Sequence, residues 1–278
     1  MADIQLMIIL VSVVFLMNIV AYYVFIPRRY RMKNNVSVNE NRSVYLFSSE
    51  ILPYLLLLLF IYILIKYQGL IAGMVSPDFD LSKLIFNIEG SSVSMFQTFT
   101  NPLLTYLSAF IYLFGFSFLL VFTFVIFILT RQPKAFQEYS IAVLIIYMVA
   151  LPFYIFTPVK ATGYTLPNVM PLLYNLNPMI LEGLKIVDPF FDNCFPSLHA
   201  ALSFLAMLFI LFRTDLKGFK VFAIFITLTI QFTIFYLGIH WITDFIGGTI
   251  LAALSFYVAT KYHDLIVSKL HISSGRND

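Results

Sequence analysis

The chain has 278 residues, of which 60% are hydrophobic and only 11% are Asp, Glu, Lys or Arg. Soluble domains carry about 25% charged residues, so this composition predicts an integral membrane protein and excludes an ordinary soluble fold. A formal net charge of +3 is explained by basic loops on one side of a membrane, and we expect no nucleic-acid partner. The single cysteine, Cys194, excludes an intramolecular disulfide framework.

The first apolar run covers residues 4–26 and is followed, not preceded, by basic residues. A cleaved signal peptide has a basic start and an apolar stretch of about 7 to 15 residues. This run of 23 residues exceeds the roughly 20 that cross a bilayer. We therefore expect a retained transmembrane helix.

Further apolar runs of membrane-spanning length follow along the chain. They cover residues 47–72, 103–130, 139–157, 197–212, 219–239 and 241–260. Because only helices and closed barrels satisfy backbone groups in lipid, long apolar runs indicate helices. The sequence thus predicts an all-α, polytopic membrane helix bundle with about seven transmembrane helices.

Basic residues concentrate in alternate connections between the predicted spans. Most Lys and Arg lie in segments 27–46, 131–138 and 213–218 and after residue 260. The remaining connections, 73–102 and 158–196, carry only three lysines against six acidic residues. The positive-inside rule then predicts a multi-pass protein with its N-terminus outside or in a lumen and its C-terminus in the cytoplasm.

The two outer connections differ in character. Residues 80–99 form an amphipathic stretch, which lies at the membrane interface or forms an ordinary loop helix. The longer connection, 158–196, contains five prolines before the FPSLH stretch, and it is predicted to fold as a cap with little regular structure.

Polar residues stand where the span 197–212 begins, in the stretch FPSLH at 195–199. Proline suits the first turn of a helix, and Asp192 or Asn193 is the candidate cap. His199 then lies near the first turn, where free N–H groups and the helix dipole favour an anion such as phosphate.

A second histidine, His240, follows a span that begins near residue 219 on the inner side. About 21 residues at roughly 1.5 Å each return the chain to the outer face, so His199 and His240 are predicted at the same depth. Asp244 follows four residues later, one helical turn away if the last span is helical from Trp241. A carboxylate there orients the imidazole and makes it a stronger nucleophile and base.

A lone histidine at a membrane interface is usually structural, and the HxxxD spacing alone is a weak signal. The two histidines at one depth, with Asp244 beside one of them, favour a functional site. Gly247 and Gly248 are interpreted as positions of close helix packing.

FPSLHA at 195–200 together with GIHWITDFIGG at 238–248 resembles the type 2 phosphatidic acid phosphatase (PAP2) superfamily. The likeness is greatest to its branch of inositol phosphorylceramide synthases and sphingomyelin synthases. It implies a six-helix catalytic core, to which the first span is an addition. The domain boundaries are then 1–46 for the first helix and its basic loop, 47–262 for the catalytic domain and 263–278 for a cytoplasmic tail.

The resemblance also implies residue roles. His240 would be the nucleophile that takes the phosphoryl group, Asp244 its orienting partner, and His199 the general acid at the leaving oxygen. Ser197 would hold phosphate oxygens. The resemblance implies no cofactor and no metal, and membrane carboxylates are too scarce for a two-metal site.

The chain departs from the superfamily's phosphatases in its cations. A Ser-Arg pair that they carry before the nucleophilic histidine is replaced by Thr233 and Ile234. In FYIFTPVKATGY, at 153–164, Lys160 is the best remaining cation for phosphate, or else an ordinary loop lysine, and Tyr164 is a weaker candidate for the substrate pocket. Loss of bidentate arginines fits a phosphodiester, which carries less charge than a monoester.

The sequence therefore favours a lipid phosphotransferase that moves a phosphorylated head group, with inositol phosphate the favoured group, between lipids in the bilayer through a phosphohistidine. A competing hypothesis is a lipid phosphate or polyprenyl diphosphate phosphatase, which differs only in using water as acceptor. The same residues also allow a metal-dependent intramembrane hydrolase using His199, His240 and Asp244, or a transporter or scaffold without enzymatic activity. The oligomeric state is not predicted.

Overall fold

The computed structural model describes residues 2–31, 38–75 and 80–274. The protein is 79% helical, and the described residues contain no strand. The predicted all-α polytopic bundle is thus confirmed.

Thirteen α-helices, one 3₁₀ helix and one π-helical segment follow one another along the described chain. They are α1 (Ala2–Phe25), α2 (Arg28–Arg31), α3 (Val38–Val75), α4 (Ser82–Glu89), the 3₁₀ helix Ser92–Gln97, α5 (Pro102–Phe110), the π segment Ile111–Gly115, α6 (Phe116–Leu129), α7 (Pro133–Phe156), α8 (Thr162–Thr165), α9 (Pro178–Lys185), α10 (Leu198–Arg213), α11 (Lys217–Tyr236), α12 (Ile242–Lys261) and α13 (His263–Ser274).

Six helical stretches are long and apolar enough to cross a membrane. They are Gln5–Phe25, Glu50–Val75, Pro102–Leu129, Pro133–Phe156, Lys217–Tyr236 and Ile242–Lys261. The fifth of the seven predicted spans, 197–212, corresponds to α10, an apolar helix of 16 residues that is shorter than the other six. The protein is an integral multi-pass membrane protein, and α10 has the 16-residue length of the predicted run, which is shorter than the roughly 20 residues that cross a bilayer.

Two predicted loops contain more helix than expected. In the predicted basic loop 27–46, α2 occupies four residues and α3 begins at Val38, while residues 32–37 lie outside the described chain. At the other end, α13 covers His263–Ser274 of the predicted tail. Both segments carry polar residues that helices tolerate well, so hydropathy alone did not mark them as helical.

The short helix α10 lies at the centre of the bundle and packs against α6, α7, α11 and α12. Its buried side chains include Leu205, Phe209 and Ile210, which join the main apolar core. Helix α3 packs on α7, and α1 packs on α6 and α9. The start of α10 is therefore held by elements from several parts of the chain.

The connection 158–196 folds over one end of the bundle, as its prolines predict. It contains the short helices α8 and α9 and a single parallel bridge between Val159 and Asn193. In this bridge Val159 donates its N–H to the Asp192 carbonyl, and Cys194 donates to the Val159 carbonyl. The segment around Lys160 is thus fixed beside the FPSLH segment.

Helices α10 and α12 approach closely at Gly248. A Cβ atom placed on Gly248 would lie 2.4 Å from the Ser197 carbonyl oxygen and 3.1 Å from the Ala200 Cβ. Small residues permit such approach between membrane helices. One turn away, the Ser197 N–H donates to the Asp244 carbonyl at 3.1 Å. This contact agrees with the interpretation of Gly248 as a packing residue.

We predict that Gly248→Ala lowers the stability of the folded protein by about 1 to 3 kcal/mol, because the added methyl group must push backbone from backbone. Gly247→Ala is the matched control. Its Cβ would meet the Phe195 ring at 2.8 Å, and a side chain can rotate away. Thermal unfolding in detergent checks both variants, and equal losses would contradict the assigned contact.

Candidate active site

A cavity of about 190 Å³ lies at the capped end of the bundle. Both His199 and His240 line it. Its volume equals about six water molecules, which suits a polar head group better than a whole lipid. Both histidines predicted from sequence therefore line one cavity that is large enough for a polar head group.

His240 lies in the turn between α11 and α12. Helix α11 ends at Tyr236, and Gly238 has a φ of +74°, a left-handed conformation that glycine adopts without strain. A Cβ at Gly238 would also lie 2.3 Å from the Met170 carbonyl oxygen. The turn therefore requires glycine, and it delivers the His240 ring to the cavity.

Asp244 is the partner of His240. Its Oδ2 lies 3.3 Å from His240 Nδ1 and accepts a hydrogen bond of 2.9 Å from the Trp241 N–H. The side chains of His240 and Asp244 are only 4% and 0% exposed. With Nδ1 directed to the carboxylate, His240 keeps Nε2 for a reacting group.

The predicted geometry of this pair needs one correction. His240 is not part of the last helix, which begins at Ile242, and Trp241 has an extended backbone with φ −80° and ψ 158°. The two side chains therefore do not meet as neighbours one turn apart on a helix. They meet because Asp244 in the first turn caps the backbone at Trp241 and so turns back towards the preceding residue.

His199 is the second residue of α10. Its ring is stacked on Tyr112, with centroids 4.0 Å apart, and lies 4.2 Å from the Phe116 ring on another side. The first of these aromatic residues lies in the π segment Ile111–Gly115 and the second directly follows it; such segments occur often at functional sites. The His199 and His240 ring centroids are 6.2 Å apart, so the two rings border the same part of the cavity.

The start of α10 differs from the sequence prediction. Ser197 is the N-cap, and its Oγ accepts the Ala200 N–H at 3.3 Å. Neither Asp192 nor Asn193 caps the helix, and Pro196 precedes the cap instead of opening the first turn. Ser197 is fully buried. Its hydroxyl therefore serves the helix terminus and does not line the cavity.

Lys160 and Tyr164 lie away from the two histidines. The Lys160 ammonium is 3.5 Å from Asp80 and lines a neighbouring cavity of about 420 Å³, with Tyr154 shared between the two cavities. The Lys160 backbone is closer to the site, since its carbonyl accepts the Trp241 indole N–H at 2.9 Å. Tyr164 is half exposed and stacks on Phe191.

The polar lining of the cavity that contains the two histidines is neutral or acidic. It comprises Tyr112, Tyr147, Tyr154, Tyr174, Gln68, Asn193 and Asp188 with the two histidines, and no described Lys or Arg contributes to it. Burial raises the pKa of the Asp188 carboxyl, although hydrogen bonds from the Asn193 and Asp192 N–H groups oppose this. Burial also raises the pKa of the Tyr174 hydroxyl well above its usual value. The lining therefore offers hydroxyl, amide and carboxyl groups in place of fixed positive charge.

The neighbouring cavity, which Lys160 lines, also contains the acidic residues Asp80 and Asp192. Burial together with the Asp188 carboxylate raises the pKa of Asp192 to about 6. Burial opposes ionisation of Asp80 too, but the hydrogen bonds from Ser82 and the Lys160 charge lower its pKa overall. The Lys160 ammonium thus forms its ion pair with Asp80, at the neighbouring cavity.

Glu89 is a site residue that sequence analysis missed. Its carboxylate accepts the Ile242 N–H at 2.9 Å, the Thr243 N–H at 2.7 Å and the Thr243 hydroxyl at 2.6 Å. A carboxylate at a helix N-terminus satisfies free N–H groups and complements the helix dipole. Glu89 ends α4 and lies 153 residues before Ile242 in sequence, so no local pattern connects them.

Cys194 joins His240 and Asp244 as a third buried residue with metal-ligating atoms. One such atom from each of the three lies within 4.8 Å of the others. His199 is not in this group, so the described residues do not assemble the two-histidine, one-carboxylate metal site weighed from sequence.

Comparison with known proteins identifies a family for most of this region. The family model described as PAP2 superfamily matches residues 82–258, which includes α4, the capping connection and both histidines. Comparisons with curated proteins and with solved structures gave no match.

We predict that Glu89→Ala lowers stability by about 2 kcal/mol, because the start of α12 loses three hydrogen bonds. Hydrogen exchange should accelerate at the Ile242 and Thr243 amides. Glu182→Ala is the control, since Glu182 is half exposed and pairs with Lys185 on the surface, and we expect a change below about 1 kcal/mol. Unchanged exchange at the start of α12 would refute the cap.

Proposed function

This chain belongs to the PAP2 superfamily, whose members are phosphatases and phosphotransferases acting on phosphoesters, and we propose that it is a lipid phosphotransferase. It moves a phosphorylated head group from a donor lipid to a second lipid hydroxyl through a phosphohistidine at His240. The observation that carries the proposal is one cavity lined by both His199 and His240, the latter paired with Asp244. No lysine or arginine is among its described lining residues.

In the first step, His240 Nε2 attacks the phosphorus of the donor and forms an N–P bond. The P–O bond to the lipid alcohol breaks, and that oxygen takes a proton from His199. Asp244 stabilises the positive charge that His240 gains. The two rings border one space, with centroids 6.2 Å apart, so a single phosphate group can contact both of them during transfer.

In the second step, His199 takes the proton from an acceptor hydroxyl, and that oxygen attacks the phosphorus. The N–P bond breaks, His240 returns to its starting state, and the head group is joined to the acceptor lipid. The protein needs no net proton for this cycle. Stacking on Tyr112 and a tilted ring contact with Phe116 hold His199 in place for both transfers.

The cavity supports a phosphodiester as substrate. A phosphate monoester carries up to two negative charges, for which bidentate arginine contacts are well suited. This cavity has no described Lys or Arg in its lining, whereas the N-terminal end of α10 suits a single negative charge. Four tyrosines, Gln68, Asn193 and Asp188 provide the hydrogen-bonding partners that a polyol such as inositol phosphate needs.

The membrane side is also part of the proposal. His199 lies in the first turn of α10 and Arg213 ends the helix, so the cavity and the basic connection 213–218 lie at opposite ends of it. Because basic connections face the cytoplasm, the cavity opens on the extracytoplasmic or lumenal side.

A phosphatase is the second candidate, since superfamily membership supports it equally. It shares the first step, and water replaces the lipid hydroxyl in the second. The cavity composition favours the transferase only through its preference for a diester.

The test uses purified protein and phospholipid labelled in its phosphate, with and without a lipid alcohol as acceptor. We expect labelled lipid product only when the acceptor is present. Release of free phosphate or head-group phosphate regardless of acceptor would overturn the transferase and leave the phosphatase.

Variants in the same assay test the residues. His240→Ala and Asp244→Asn should each reduce turnover by about 10³-fold or more. The matched control is His263→Ala, because His263 is also buried and also contacts an aspartate, Asp264 at 2.8 Å, but lies outside the cavity. Normal turnover by a folded His240→Ala protein would end the enzyme proposal and favour a transporter or scaffold.

A further inference from the structure

We propose that Cys194, His240 and Asp244 form a binding site for a thiophilic divalent cation such as Zn²⁺, and that the bound ion inhibits the protein. The claim that the ion binds depends on geometry alone, whereas the claim that it inhibits rests on the proposed function. Binding and inhibition are therefore tested by separate measurements.

The three ligand residues come from two elements that the fold presses together. Cys194 precedes α10 and is fixed by its N–H bond to Val159, while His240 and Asp244 flank the start of α12. Their relative exposures are 2%, 3% and 0%. One thiol, one imidazole nitrogen and one carboxylate oxygen lie within 4.8 Å of one another. Because these three side chains are already buried, they lose little conformational freedom when an ion binds.

Asp244 provides a second, independent observation. Its Oδ2 serves the Trp241 N–H and His240, but its Oδ1 is buried and has no hydrogen-bond partner among the described residues. An unpaired buried carboxylate oxygen is costly. A cation beside the pair would satisfy this oxygen and leave the Trp241 contact in place.

The donor set selects the ion. Sulfur, nitrogen and oxygen together suit Zn²⁺ or Co²⁺, whereas Mg²⁺ and Ca²⁺ prefer oxygen alone. Metal–ligand distances of about 2.0 to 2.3 Å put tetrahedral ligands roughly 3.3 to 3.8 Å apart. Their present separation of up to 4.8 Å therefore needs an inward movement of only about 1 Å to meet this geometry. Cys194 and His240 line the cavity, which gives the ion an entry path and a fourth position for water.

Binding has a clear consequence for the proposed reaction. The ion displaces the proton of the Cys194 thiol and takes a ring nitrogen of His240. If that nitrogen is Nε2, the nucleophile is occupied, and if it is Nδ1, the bond to Asp244 is broken. Either way His240 no longer attacks phosphorus.

The binding test is a titration of tag-free, reduced protein with Co²⁺. Cys194 is the only cysteine in the chain, so a cobalt–thiolate charge-transfer band in the near ultraviolet can arise only from this residue. We expect the band at one Co²⁺ per chain, its displacement by Zn²⁺, its absence from Cys194→Ser, and its retention in His263→Ala. No band in folded wild-type protein would overturn the site.

The inhibition test compares each protein with its own activity in chelator. We expect Zn²⁺ to inhibit the wild type, and Cys194→Ser to need at least about tenfold more Zn²⁺ for half inhibition. Equal sensitivity of the two proteins, or activation by Zn²⁺, would overturn the inhibitory role. If no preparation turns over lipid, the proposed function fails, and the cobalt band still decides whether the site exists.

Discussion

The contact between the starts of α10 and α12 is the constraint on which the rest of the structure depends. Gly248 lets the two helices approach until backbone meets backbone, and the Ser197 N–H then reaches the Asp244 carbonyl at 3.1 Å. In a membrane, helices gain little from the hydrophobic effect against each other, so close packing and hydrogen bonds decide which faces meet. This contact brings the helix that carries His199 beside the turn that carries His240.

Nearly every polar group that is buried at this contact has a hydrogen-bond partner. Asp244 serves both the His240 ring and the Trp241 backbone, and Glu89 satisfies the next two N–H groups of α12. Such groups are expensive in a medium of low dielectric constant unless they are paired. The same requirement that stabilises the start of α12 therefore also fixes the position of His240. The Asp244 Oδ1 is unpaired within the described part of the chain, and it is the atom that a bound cation would satisfy.

The helices were predicted well from sequence, because a long apolar run by itself indicates a helix that lies in lipid. It also predicted that His199 and His240 come together, since span length brings both to one end of the bundle. It did not predict the stacking of Tyr112 on His199 or the reach of Glu89 to α12, which depend on how distant helices pack. It placed the cap of α10 too early, because several candidate caps precede that helix and only the backbone path selects Ser197.

The central claim is that His240 carries the transferred group covalently. The direct measurement is to mix protein with phosphate-labelled donor lipid without acceptor, quench in alkali, digest, and identify the modified peptide by mass spectrometry. We predict one acid-labile, alkali-stable adduct on His240, lost when acceptor lipid is added before the quench. A label on any other residue, or turnover without an adduct on His240, would contradict the claim.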